Sequence, residues 1–181
     1  MPQETRDSRD LVELDGGEGE GGGQILRTAL TLSVLTGRPF RIKRIRANRD
    51  NPGLRPQHLA CVEALVALTG SRARGTQIGA RELRFDPSEA FDVRAFEYDI
   101  GTAGSTGLVL HTLFPLMAIR AAELGRSHPT SLTLRGGTYN LAAPSWPFLE
   151  RVWRVHQERV GLNCVLRSPS AGHYPRGGGL L

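Results

Sequence analysis

Between Asp15 and Arg27 the chain reads Asp15-Gly16-Gly17-Glu18-Gly19-Glu20-Gly21-Gly22-Gly23-Gln24-Ile25-Leu26-Arg27: six glycines around two glutamates, with a helical pattern starting at once. Few folds accommodate this. Glycine accepts positive φ and lets a neighbour or ligand approach the backbone, so the stretch predicts a strand, a close-packed loop and a helix N-terminus. That N-terminus offers free N–H groups and a positive dipole end to an anion. Two glutamates there would repel a bare phosphate, which makes a divalent cation the natural mediator of a nucleotide or phosphate. The simpler alternative is a tight strand-to-helix turn.

Two familiar glycine-loop chemistries are excluded. Gly17, Gly19 and Gly22 satisfy G-x-G-x-x-G, but no acidic residue lies between Gly21 and Arg49 to hold a dinucleotide ribose. No Gly-Lys-Ser/Thr follows the glycines, so the loop is not a P-loop.

The rest of the chain suggests duplication. Leu11–Leu14 reads as a strand, and Gln24–Thr36 as an amphipathic helix with Ile25, Leu26, Ala29, Leu32 and Leu35 on one side and Gly37 ending it. A strand follows at Phe40–Ile45. A second helix is predicted over Pro56–Thr69, opened by proline and stopped by Gly70. Strands are expected around Arg72–Ile78 and Arg81–Phe85. The order then recurs: a strand at Phe96–Ile100, the turn Gly101-Thr102-Ala103-Gly104-Ser105-Thr106-Gly107, a helix from about Ser105 to Leu124, and a strand at Ser131–Leu134. Pro144 opens a helix reaching Val160, and a strand covers Asn163–Leu166. The expectation is an α+β fold of tandem βαβαββ-like repeats, helix pairs packed on four-stranded sheets. Residues 1–10 are expected to form a disordered polar tail, 11–90 the first repeat and 91–181 the second, with a polar linker near Asp86–Ala95. Right-handed connections should put both helices of a unit on one face.

The loop Arg46-Ala47-Asn48-Arg49-Asp50-Asn51-Pro52-Gly53-Leu54-Arg55-Pro56-Gln57-His58 is the second site candidate. Arg46 and Arg49 could clamp a phosphate, with Gln57 and His58 in the first turn of the next helix; a solvated basic loop is the alternative. In the Asp99–Thr106 turn, N-capping by Ser or Thr accounts for most of the pattern. Trp146 and Trp153, seven apart, read as packing residues. His111, His128 and His156 show no metal-ligand spacing.

Composition adds limits. A net charge of +5, carried almost wholly by arginine because Lys43 is the sole lysine, is compatible with phosphate or nucleic-acid partners and proves neither. Cys61 and Cys164 belong to no paired-cysteine motif, and no apolar run approaches the ~20 residues of a membrane span. A soluble, cytoplasmic protein with reduced thiols is expected.

Taken together, DGGEGEGGGQILRTAL, PGLRPQHL, DIGTAGST, LRGGTYN and HYPRGGG resemble the RNA 3′-terminal phosphate cyclase family, in the family's order and from about Leu11 to Leu181. The resemblance implies ATP-dependent nucleotidyl transfer in RNA processing. A histidine takes AMP from ATP with the help of a divalent metal, Mg2+ or Mn2+, and passes it to an RNA 3′-terminal phosphate. The 2′-hydroxyl then closes a 2′,3′-cyclic phosphate. Glu20 matches the family's metal-binding carboxylate. Arg27, Arg46, Arg49, Gln57 and His58 match positions lining its nucleotide and phosphate site. The family's fold adds a small inserted domain and a third repeat, both expected to be missing here, together with the nucleophilic histidine, whose motif none of the five histidines occupies. ATP and RNA bearing a 3′-phosphate are the implied partners, with self-association through an exposed edge. The alternative is a non-catalytic RNA-binding or ribosome-assembly paralogue. Departures from the pattern are Asn48 where glycine is usual, His111 where glutamine is frequent, and Leu141-Ala142 after the Asn140 turn.

Overall fold

The computed structural model describes residues 11–88, 91–92, 95–123, 125 and 130–181, so the tail 1–10, part of the linker including Glu89, and His128 lie outside the described residues. The chain divides into two compact units, with the boundary after Asp92.

The first unit runs β1 (Val12–Asp15), α1 (Gln24–Thr36), β2 (Phe40–Lys43), α2 (Pro56–Thr69), β3 (Arg72–Arg74) and β4 (Leu83–Asp86). Its four strands form one sheet in the order β1-β2-β4-β3, with β1 and β2 parallel and the other pairs antiparallel. Alternation dictates which face is buried. Phe40 and Ile42 on β2 and Leu83 and Phe85 on β4 point inward, and the Phe40 and Phe85 rings stack at 5.8 Å. The intervening residues carry charge: Arg41 pairs with Glu82 at 2.7 Å and Lys43 with Glu13 at 2.9 Å. Exposed pairs of this kind add little stability and keep the open face wet.

Both helices pack on the same side of this sheet, α1 against α2, β2 and β4, and α2 against β3. They end as the glycines predict: Gly37 and Gly70 adopt left-handed φ of 68° and 72°, and Gly70 N–H closes onto Val66 O at 2.8 Å. The buried stripe of α1 differs from the expected one. Leu26, Leu30 and Val34, spaced by four, are buried, whereas Ile25, Ala29 and Leu35 are half-buried and Leu32 is 52% exposed. The helix has two apolar stripes. One fills the core; the other, with Val12, Leu14 and Phe40, borders a cavity of about 570 Å³ beside the edge strand β1. β3 stops at Arg74 because Gly75 turns with φ 81°, pressed so close to Glu82 O that a Cβ would lie 2.4 Å from it.

The second unit runs β5 (Ala95–Asp99), α3 (Thr106–Glu123), β6 (Ser131–Gly136), α4 (Trp146–Phe148), a π-helical stretch (Leu149–Trp153), α5 (Arg154–Arg159) and β7 (Gly179–Leu180). β5 and β6 are parallel, as β1 and β2 are, and β7 adds antiparallel to β6. The strand expected at Asn163–Leu166 does not form. Its alternation is real, with Cys164 and Leu166 half-buried and Asn163 and Val165 exposed, but it finds no ladder partner, and Gly179–Leu180 pairs with β6 instead. Trp153 packs on His111 and Phe114, at ring separations of 5.5 and 4.8 Å, as a packing residue should.

The two units share one local device. Asp15 Oδ1 accepts the Gly17 N–H and Asp99 Oδ1 accepts the Gly101 N–H, each at 2.8 Å. The next amide continues the parallel ladder in both, Gly16 N–H to Lys43 O at 2.7 Å and Ile100 N–H to Arg135 O at 3.0 Å. In each unit an aspartate therefore turns the chain out of its first strand toward a glycine loop. Among the described residues no helix is long and apolar enough to cross a membrane.

Candidate functional site

In the first unit the glycine loop, the start of α1, the β2–α2 loop and the first turn of α2 converge. The β2–α2 loop is built under strain: Arg44 and Arg46 both have φ 54°, a left-handed conformation that costs a non-glycine residue about 1–3 kcal/mol. Hydrogen bonds hold them there. Arg44 Nη1 reaches Asp15 Oδ2 at 2.9 Å, and Arg46 Nη1 donates to the carbonyls of Asn51 and Gly53. Gly53 itself, at φ 82°, sits where a Cβ would be 2.3 Å from Gly79 O.

This loop grips the glycine stretch. Asn48 Nδ2 donates to Gly17 O at 2.8 Å and to Gly19 O at 3.3 Å, and its side chain packs against Gly21, which has φ 56°. Arg49 Nη2 pairs with Glu20 Oε2 at 2.9 Å and lies against Gly22. Asn48 was legible only as a departure from the family pattern. Its role emerges from the fold, where one amide bridges two loop carbonyls that are 29 and 31 positions away in sequence.

Gly23 opens α1 without any side-chain cap, leaving first-turn N–H groups free for another acceptor. A Cβ on Gly23 would lie 2.1 Å from His58 Nε2 and 3.1 Å from Arg27 Nη1, so this glycine is needed for space. His58 belongs to the first turn of α2, where its Nδ1 accepts the Arg55 N–H at 3.2 Å. In the neutral ring the proton is then on Nε2, facing the start of α1. Burial, reinforced by the cations of Arg46, Arg27 and Arg55, pushes His58 down to about 4, so the ring is uncharged at neutral pH. Burial also lowers Arg27. Arg46 is lowered by burial and then by the neighbouring Arg55 and Arg49.

Two donors are left over. Arg27 Nε and Gln57 Nε2 are buried without a hydrogen-bond partner, while Arg27 Nη2 is held by Gln24 Oε1 at 2.8 Å. Buried, unsatisfied donors are costly and uncommon, and an anion answers them. Five of the six residues singled out from the sequence thus lie around this corner of the unit, and Gln57 precedes His58 in the first turn of α2. Arg27, Gln57 and His58 come from two helices, Arg46 and Arg49 from the strained loop, and Glu20 from the glycine stretch as the partner of Arg49.

A resident metal fits less well. Among the described residues no group of three or more His, Cys, Asp or Glu could hold an ion, and the Glu20 side chain is 89% exposed and tied to Arg49. In the second unit, the Ser/Thr turn is occupied by its own backbone. Ser105 Oγ accepts the Leu108 N–H at 3.3 Å, and Thr106 Oγ1 donates to Gly137 O at 3.0 Å, so helix capping explains it.

The geometry defines an anion-receptive, arginine-rich glycine-loop site on an α+β scaffold. The sequence model for RNA 3′-terminal phosphate cyclase matches residues 18–181. Curated proteins named RNA 3′-terminal phosphate cyclase are similar over nearly all of this chain. That of Sulfurisphaera tokodaii is 44% identical over 93% of this chain and 48% of its own length. That of Ralstonia nicotianae is 46% identical over 93% and 46%, and that of Thermococcus gammatolerans 46% identical over 94% and 47%. The chain belongs to the RNA 3′-terminal phosphate cyclase family, and it spans about half the length of the curated relatives it matches.

Proposed function

We propose that this chain carries the nucleotide-phosphate site of an ATP-dependent RNA 3′-phosphate cyclase of the cytoplasm. One observation carries the reading: a buried, unpartnered donor on Arg27 stands beside an uncharged His58 in a cluster of arginines, and Gln57, the neighbour of His58 in the chain, holds a second such donor. In the reaction, AMP is transferred from ATP to the enzyme with release of pyrophosphate. It then passes to the RNA 3′-phosphate, and attack by the adjacent 2′-hydroxyl releases AMP and leaves a 2′,3′-cyclic phosphate. AMP turns a poor electrophile into one with a good leaving group, and the attacking hydroxyl is already beside it. Arg27, Arg46 and Arg49 would hold phosphate oxygens, and Gln57 and His58 Nε2–H would donate to them. No histidine of this chain is assigned as the group that accepts AMP.

A divalent cation enters this reading only as a companion of the nucleotide. Mg2+ takes one or two protein carboxylates and completes its shell with water and substrate phosphates, and Glu20 would be that carboxylate once released from Arg49.

The test is ATP binding by titration calorimetry, with α-labelled ATP followed on a denaturing gel. The wild-type chain is expected to bind ATP without retaining covalent label. Arg49→Gln, at a side chain 45% exposed, should weaken binding about tenfold or more, as expected for the loss of a charge-assisted hydrogen bond. Absence of ATP binding, with RNA binding intact, would favour the non-catalytic RNA-binding reading. Self-association through the edge strand β1 and its apolar cavity belongs to the same reading. Sedimentation velocity should show a dimer that Leu32→Glu returns to monomer; a wild-type monomer at every concentration refutes it.

A further inference from the structure

The second unit exposes a cluster of rings that the phosphate site does not use. Tyr139 and His173 stack with centroids 5.1 Å apart and planes 16° from parallel. Tyr139 is 38% exposed and Tyr174 87%, and His173, Pro175 and Arg176 are exposed beside them in sequence. Of the chain's three tyrosines, Tyr139 makes this stack and Tyr174 follows its His173 partner in the chain. The backbone beneath is clasped. Thr138 and Tyr139 N–H groups both donate to Gly172 O at 3.0 and 3.3 Å, and Gly172 N–H returns a bond to Thr138 Oγ1 at 2.9 Å. Gly172 lies so close to β6 that a Cβ would be 2.1 Å from Gly136 O, and Gly177 N–H closes the following turn onto His173 O at 2.8 Å.

We propose that Tyr139, His173, Tyr174 and Arg176 form a stacking platform for an unpaired base of single-stranded RNA, an inference that rests on the RNA-substrate reading above. Flat rings with polar edges on a fixed backbone suit a base, because every base offers a π-face and stacking tolerates sequence. Charge agrees. Neither 136–140 nor 168–181 contains an aspartate or glutamate, and Arg176 has no carboxylate partner among the described residues, leaving it for a phosphate. The patch is no apolar groove, which argues against a protein helix as occupant.

The experiment uses the full chain and a short single-stranded RNA with a 3′-phosphate and an internal 2-aminopurine, read by anisotropy and by quenching of the fluorescent base. ATP affinity is measured in parallel. Wild type is expected to quench the base. Tyr139→Leu and Tyr174→Ala should each lower RNA affinity about fivefold or more and relieve quenching, while Tyr139→Phe retains both and ATP affinity stays unchanged. Should Tyr139→Leu fail to melt cooperatively, Tyr174→Ala, which trims an exposed ring, carries the test. Wild-type RNA affinity in both ring variants overturns the platform alone. A matched loss of ATP affinity overturns it in favour of adenine stacking, and a wild-type chain that holds ATP but no RNA refutes platform and RNA-substrate reading together.

Discussion

Gly23→Ala is expected to abolish most ATP binding while leaving the chain folded. The added Cβ would stand 2.1 Å from Nε2 and 2.5 Å from Cδ2 of His58, distances no carbon tolerates. The imidazole is the far end of a side chain, so it can swing away at the cost of its Arg55 N–H bond. That limits the stability loss to about 1–2 kcal/mol, in the range of modest overpacking. Binding suffers more, because the displaced ring no longer presents Nε2–H beside Arg27 and the start of α1; at least a tenfold rise in Kd is expected by calorimetry. A double-mutant cycle isolates the cause. In a His58→Ala background the stability penalty of Gly23→Ala should vanish, and a penalty of equal size in both backgrounds would place the clash elsewhere.

The second large effect is on acid stability. His58 titrates at about 4 in the folded chain against an ordinary 6.5. Above 6.5 the ring is neutral whether the chain is folded or not, and His58 makes no pH-dependent difference. Between 6.5 and 4 the unfolded chain takes up a proton that the folded chain refuses, so stability falls as pH falls. The full loss, on the order of 3 kcal/mol, is reached below about 4. Chemical denaturation at pH 7 and pH 4.5 should therefore show a steeper acid loss for wild type than for His58→Gln. Parallel pH profiles for the two proteins would mean that His58 is not held neutral by its surroundings.

The elements that could be read directly were those with local causes. Gly37 and Gly70 stop helices because each takes a left-handed φ, and Pro56 starts one because its missing N–H is harmless there. The glycine loop, Arg46, Arg49, Gln57 and His58 were legible as a phosphate-seeking pattern from residue type and position, and Arg27 only through the family resemblance. Their mutual arrangement was not. The left-handed turns at Arg44 and Arg46 run against residue preference and exist only because Asp15 and the loop carbonyls hold them. The neutrality of His58 depends on burial first and then on three arginines that approach it through the fold. Periodicity misjudged α1, since a helix with two apolar stripes satisfies the same count whichever stripe is buried. It misjudged Asn163–Leu166 because alternation says a segment could pair, not that an edge is free. The stack of Tyr139 on His173 joins residues 34 apart and had no sequence signal at all.

The matching aspartate turns at Asp15 and Asp99 separate framework from cargo. The strand exit is a standard socket, closed by one carboxylate and one amide in each unit. Downstream of it, one unit carries cationic side chains around a glycine loop, and the other a self-capped hydroxyl turn, with its exposed rings elsewhere. Chemistry can then change in one unit without disturbing the turn of the other, because each turn is closed by bonds within its own unit. A chain built this way acquires new surface properties by loop replacement, with its two aspartates as the fixed joints.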